Sequence, residues 1–416
     1  MKSIRSLAIT FFGVGSTRLL IFLVSVVSAR LLGHEEFGRF SYIYISVLTF
    51  STFALMGQSQ LVNFIVSKSM RDDALDFSGI NFIIKATVIL AIISTAFLLS
   101  YFYSVDVLAL EWGDAFLALL IAVLIILLVI SGLIEGAQYG LKKSHLVYVH
   151  MLWVFPLSVL VLIAGAKEFG LHGVLIALVF FRILTVSLGV YALGAGFIKN
   201  VLSPSASVEN PRDFFIKKMA PVFASSLLVG PIIWVASSYV ARRVSQAEFG
   251  GFNVAYQLYL AIIFFPAALS PVFLPKLMAI VSYSDFKRSL TNLALGNFAI
   301  ALTLAALAYF SKYYLLILFG ERFLEASSLY FDFMLIAAVF FCLNIGFSNI
   351  FTWHERFWAG AMVNMVWAAS FIVLVFKFTS SIDAYALCVG FIGAYAIMFI
   401  VQIIFMRHYE AGFVLK

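Results

Sequence analysis

Two arginines, Arg18 and Arg182, stand near the middle of long apolar runs. Arg18 lies about twelve residues into the first run, or ~18 Å at the helical rise. Arg182 lies at a similar depth in the sixth. A charge at mid-bilayer costs ~2.5–3.5 kcal/mol on insertion scales, so such residues face a protein interior or a wet cavity. The planar guanidinium also grips phosphate oxygens in pairs. Neither arginine has an acid partner on its own helix. Two readings stand. Each arginine pairs with a carbonyl or with a carboxylate from another helix, or the two line a cationic cavity that awaits an anionic cargo. Lys85, further along in the third run, either joins that cavity or snorkels to the surface.

Asp332 is the clearest acid inside an apolar run. It either pairs with a cavity arginine or titrates as part of ion coupling. Glu135, near the end of the fourth run, borders a loop. Cys342 and Cys388 both fall inside apolar runs, which argues against a disulfide framework, and no metal-ligand spacing is present. No Ser/His/Asp or paired-acid arrangement suggests a catalytic residue, and no cofactor motif appears. His34 beside Glu35 and Glu36 reads as a solvated turn.

The elements that carry these residues are membrane helices. Hydrophobic residues make up 63% of the 416 and charged residues 11%, against about 25% charged in soluble domains. Apolar runs of spanning length recur throughout. The period-two alternation of a membrane barrel is absent. The first run carries Arg18 and no small-residue cleavage site, so it reads as a retained helix. The net charge of +7 is spread over short loops with no basic stripe, which does not suggest nucleic acid. We expect an all-α polytopic membrane protein with about twelve helices: 6–30, 38–66, 79–104, 113–135, 145–166, 171–198, 214–241, 250–281, 287–311, 326–351, 357–378 and 383–406. With loops assigned to alternate sides, 17 of the 27 Lys/Arg fall on the side of both termini. Positive charge marks the cytoplasmic side, so both termini are expected there.

A polar island is written twice. "ARLLGHEEFGRFSYIY" begins at Ala29, and "ARRVSQAEFGGFNVAY" begins 212 residues later at Ala241. Gly132, Lys142 and Trp153 likewise match Gly346, Arg356 and Trp367 at a shift of 214. Each island follows the first helix of a six-helix set, which makes a parallel internal repeat. The expected units are residues 1–205 and 206–416, with the Ser/Pro-rich loop 199–213 between them. In each island the glycine (Gly38, Gly250) is expected to permit the turn, and the phenylalanine (Phe37, Phe249) to anchor a helix end at the membrane interface.

Gly132, Gly136 and Gly140 recur every fourth residue, which lets a neighbouring helix approach closely. Five of the eight prolines, among them Pro231, Pro266 and Pro271, fall in the seventh and eighth helices. Each removes a backbone donor and can kink its helix. These two helices are the expected mobile elements, with Gly230 beside Pro231 as pivot.

The opening "FFGVGSTRLLIFLVSVVSARLLGHEEFGRFSYIYISVLTF" resembles the start of Wzx-type O-antigen flippases, polysaccharide-biosynthesis transporters of bacterial inner membranes in the multidrug/oligosaccharidyl-lipid/polysaccharide (MOP) exporter superfamily. A first helix with a mid-span arginine leads into the turn carried by Ala29, Arg30, Leu31, Leu32, Gly33, Phe37 and Gly38. The resemblance implies a cargo of oligosaccharide on undecaprenyl pyrophosphate, moved from the cytoplasmic to the periplasmic leaflet by alternating access. It also implies contact with membrane lipid and with other polysaccharide-assembly membrane proteins. Arg18, Arg182 and Lys85 then become ligands of the pyrophosphate, and Tyr256, Trp234 and Asn344 are candidates for the sugars. Rival readings are a multidrug exporter of the same fold, which wants acids in its cavity, and a membrane polysaccharide polymerase or glycosyltransferase, which presents catalytic groups on large outer loops.

Overall fold

The computed structural model describes residues 2–55, 57–71, 77–104, 114–141, 144–202, 228–278, 282–353 and 357–414. All regular structure among them is helical: α1 Lys2–Leu55, α2 Gln58–Arg71, α3 Phe77–Ser104, α4 Ala115–Gly140, α5 Ser144–Leu193, α6 Ala195–Leu202, α7 Gly230–Ala241, α8 Gln246–Met278, α9 Tyr283–Phe310, α10 Lys312–Ile317, α11 Phe323–Ala326, α12 Ser328–Phe347, α13 Asn349–Trp353, α14 Phe357–Ile382 and α15 Tyr385–Val414. Most expected helix starts and ends recur within about five residues where both are described, but the expected helix 38–66 is divided between the end of α1 and α2, and the last helix runs on to Val414. Two helices are each a pair. α1 breaks at Gly33 (φ 78°, ψ −177°) and α5 at Gly170 (φ 54°, ψ −131°), conformations that glycine reaches without steric cost. Seven helices among the described residues are long and apolar enough to cross a membrane. The chain is an all-α polytopic membrane protein.

Its exposed surface says the same. Val88, Ile89, Ile92, Ile93 and Phe97 of α3 are all about half exposed or more. They recur at helical spacing as one apolar stripe, which water would penalise and hydrocarbon does not.

Two compact units are present. The first holds Met1–Leu32 and Arg39–Trp234; the second holds Gly33–Gly38 and Val235–Lys416. The loop expected as the divider, from 203 on, and Pro221 lie outside the described residues, as does the stretch 214–227 of the expected seventh helix.

In the first unit the four-residue glycine spacing of α4 acts as a groove. A Cβ at Gly136 would overlap the carbonyl of Ser59, and one at Gly140 would stand 2.6 Å from Val66. Helix α2 therefore lies against α4 at backbone distance. The hairpin within α5 closes in the same way: Gly165 and Gly173 face each other across the Gly170 turn, each where the other's carbonyl leaves no space for a Cβ.

In the second unit an aromatic column runs through the helices. Trp367 stacks on Phe371 at 5.3 Å and on Tyr395 at 5.6 Å, and Tyr256 stacks on Phe391 at 5.8 Å. The Tyr259 and Tyr395 hydroxyls hydrogen-bond at 3.1 Å, so neither buried phenol is left unsatisfied.

The repeated island takes a form the sequence reading did not anticipate. Gly33, not Gly38, makes the turn. Gly38 and Gly250 both lie inside helices, buried, and are needed for a close crossing. Phe37 and Phe249 are 1% and 0% exposed, so they are core residues and not interface anchors. Phe37 meets Phe323 edge-on at 5.6 Å. At the counterpart of Gly33 stands Ser245, whose hydroxyl accepts the Glu248 amide at 3.1 Å and caps α8.

Candidate functional site

The mid-span arginine of the first unit is Arg182, on the second half of α5. It is partly exposed, with its guanidinium carbon 5.2 Å from the Phe181 ring centroid. Its charge acts on the Glu135 carboxyl of α4. Glu135 also accepts a hydrogen bond from the Ser131 hydroxyl, 3.3 Å away and one turn earlier. Helix register explains the meeting. The Gln138 amide donates to the Gly189 carbonyl at 3.2 Å, which pins α4 to α5. Two chain reversals separate these segments, so they run in the same direction. Arg182 precedes Gly189 by two turns and shares its face, while Glu135 precedes Gln138 by about one. The remaining offset of ~6 Å at the helical rise is within the reach of an arginine stem.

The sequence reading left Glu135 bordering a loop. The structure instead places it within electrostatic reach of Arg182 on another helix, with no ion pair or hydrogen bond between the two. The Ser131–Glu135 spacing of four on α4 was the available signal.

The other expected residues are placed as follows. Arg18 belongs to α1, and its side chain lies outside the described residues. Lys85 is exposed on α3. Asp332 sits one turn into α12 and accepts a 2.7 Å hydrogen bond from the ammonium of Lys312 on α10, so its partner is a lysine and not an arginine. Gly230 and Pro231 open α7 after a turn at 228–229, where proline's missing N–H carries no cost. Pro266 is buried in α8, which continues as helix through Pro271. The Pro271 side chain lies outside the described residues.

The expected sugar ligands are engaged in packing. Trp234 is buried, donates from its indole to the Ser46 hydroxyl at 2.8 Å, and meets Phe50 edge-on at 4.9 Å. The Asn344 amide donates to the carbonyls of Phe340 and Tyr395 at 2.8 and 3.0 Å. Tyr256 belongs to the aromatic column. No group of three or more His, Cys, Asp or Glu among the described residues is arranged to hold a metal ion.

At the start of the second half of α1, the His34 ring lies 4.0 Å from that of Phe323. Its Nε2 is buried with no hydrogen-bond partner among the described residues. Burial, and next the positive charge of Arg322, hold the imidazole below its ordinary range, while a hydrogen bond with the Arg322 backbone acts the other way.

Comparison with known proteins adds to this geometry. The pattern of the family described as polysaccharide biosynthesis protein matches residues 3–279. The EPS I polysaccharide export inner membrane protein EpsE of Ralstonia nicotianae is 25% identical over 261 residues, which are 61% of this chain. The match spans only 58% of that relative's length. Among solved structures, the lipid II flippase MurJ in an inward closed conformation superposes with a TM-score of 0.73 at 14% identity, covering 96% of this chain and 87% of MurJ. An inward-facing multidrug resistance MATE family transporter of the MOP superfamily gives 0.72 at 12% identity, covering 95% of each chain. A MOP superfamily transporter from Pyrococcus furiosus gives 0.67 at 13%, covering 98% and 95%. At these identities the likeness is one of fold.

Proposed function

This chain belongs to the polysaccharide biosynthesis protein family, and from that premise we propose that it is a flippase for oligosaccharide linked to undecaprenyl pyrophosphate, carrying an O-antigen or related repeat unit from the cytoplasmic to the periplasmic leaflet of a bacterial inner membrane. The observation that carries the reading is the family match over two thirds of the chain. The partly exposed Arg182, inside an apolar span, supplies the chemistry such a cargo needs. A pyrophosphate entering the bilayer must be met by cations, and arginine meets its oxygens in pairs. Arg18, and Lys85 if it turns inward, would add to that field. Two six-helix bundles related by the parallel repeat would open the cavity alternately to each side. The kinks and pivots would fall at Gly230, Pro231, Pro266 and Pro271. Both termini would be cytoplasmic, and the protein would act without catalysis, beside the other membrane proteins of polysaccharide assembly. The multidrug-exporter reading rests on fold likeness alone.

The test is deletion of the gene, with surface polysaccharide and inner-leaflet lipid-linked oligosaccharide as readouts. Loss of the first with accumulation of the second, restored by wild-type protein and not by Arg18→Ala or Arg182→Ala, is the expected result. Unchanged polysaccharide in the deletion, with no other flippase gene present, would refute the reading.

A further inference from the structure

Arg182 acts on an acid inside its own compact unit, without an ion pair between them, and that interaction bears on any anion it binds. Four observations converge on Glu135. It lies inside the apolar span Ala115–Gly140. Its carboxyl takes a hydrogen bond from Ser131. It shares the field of Arg182. The Gln138–Gly189 hydrogen bond holds the two helices in that register. Of the other elements packed against α4, the first half of α5 carries His145 and His150, whose side chains lie outside the described residues. Helix α2, which approaches through Ser59 and Asn63, carries no titratable residue from Gln58 to Val66, and the lysine of α3, Lys85, is exposed.

We propose that Glu135 is the internal counter-ion that an anionic cargo must displace from Arg182, so that anion binding carries a proton onto the Glu135 carboxyl. This rests on the reading of Arg182 as a cargo-facing cation. With the site empty, the two charges neutralise each other at membrane depth, which lowers the cost of keeping an arginine there. When a phosphate oxygen takes the guanidinium, Glu135 loses its share of that charge and gains a negative neighbour. Both changes disfavour the carboxylate. The proton comes from solvent through the same opening as the cargo and leaves when the cargo does. The occupied protein then holds more protons than the empty one, so affinity falls as pH rises, by at most tenfold per pH unit for one linked proton. Glu135 thus sets both the electroneutrality of the empty carrier and the pH dependence of loading.

The experiment is binding of geranyl pyrophosphate to purified full-length protein between pH 6 and 8, for wild type, Glu135→Gln, Glu135→Asp and Arg182→Ala. Titration of the probe itself is common to all four. Glu135→Gln should bind more tightly than wild type at pH 8, by about tenfold for one unit of coupling, and its affinity should fall less with pH. Glu135→Asp, which keeps a carboxyl, should retain the wild-type slope. Parallel profiles for wild type and Glu135→Gln would overturn the proposal while leaving Arg182 as an anion ligand. Wild-type affinity in Arg182→Ala, or no binding by wild type, would overturn the underlying reading as well. A readout that needs no Glu135 variant is proton uptake by the wild type when the probe is added in weak buffer, set against the same addition to Arg182→Ala. Absence of excess uptake also refutes the proposal.

Discussion

Gly38 and Gly250 hold the same place in the two copies of the polar island, and each lies over the first residue of the other's helix. A Cβ on Gly38 would overlap the carbonyl of Gln246, and one on Gly250 would stand 2.7 Å from the carbonyl of His34. His34 and Gln246 are themselves counterparts at the same shift of 212. The relation is therefore reciprocal, residue for residue, as a local two-fold would make it.

Backbone carbonyls cannot swing aside as side chains do, so Gly38→Ala should lower the thermal midpoint of the purified protein. Overpacking of this kind costs about 1–3 kcal/mol. Gly250→Ala should cost less, because its nearest atom is further away. Gly296→Ala is the control: nothing lies within 4 Å of its built Cβ, and alanine is the better helix former. Equal melting of Gly38→Ala and Gly296→Ala would show that the crossing is not tight.

His34 makes stability depend on pH with a definite sign. Its folded-state value lies below the 6.5 of a free imidazole. Between those values the unfolded chain binds more protons than the folded one, so stability is complete above about pH 6.5 and is lost as pH falls through the folded-state value. Thermal unfolding of wild type should drop between pH 7.5 and 5.5 more steeply than that of His34→Asn. Identical slopes would remove His34 as a contributor.

The Lys312–Asp332 pair is partly solvated, with side chains 22% and 33% exposed. Its worth should fall near the ~0.2–1 kcal/mol of exposed pairs. A double-mutant cycle with Lys312→Met and Asp332→Asn should return a coupling in that range. Because the lysine already holds one of its carboxylate oxygens, Asp332→Asn should transport with the wild-type response to imposed pH and Na⁺ gradients. A lost gradient response would make Asp332 an ion site after all.

Orientation is tested by labelling. Glu35 and Arg243 are both exposed and flank the two copies of the island. Cysteines there should react with an impermeant thiol reagent from outside intact spheroplasts. Reaction only after the inner membrane is opened would reverse the topology and the direction of export.

Apolar run length determined the helices on its own. A span of hydrocarbon demands about twenty apolar residues with every backbone group bonded internally, and that demand is local in sequence. The glycine groove of α4 was legible for the same reason, since a spacing of four places residues on one helix face. Partners were not legible. Glu135 comes within reach of Arg182, Lys312 meets Asp332, and Trp234 spends its indole on Ser46 at 188 residues' separation, because register between helices is set by packing of whole faces and leaves no periodic trace. The island shows the division most clearly. Its repetition was visible as letters. Only the tertiary structure decided that Gly38 and Gly250 serve a crossing of two helices and not a turn, since a missing Cβ answers equally to a strained backbone and to a close neighbour, and the neighbour comes from the other copy of the island.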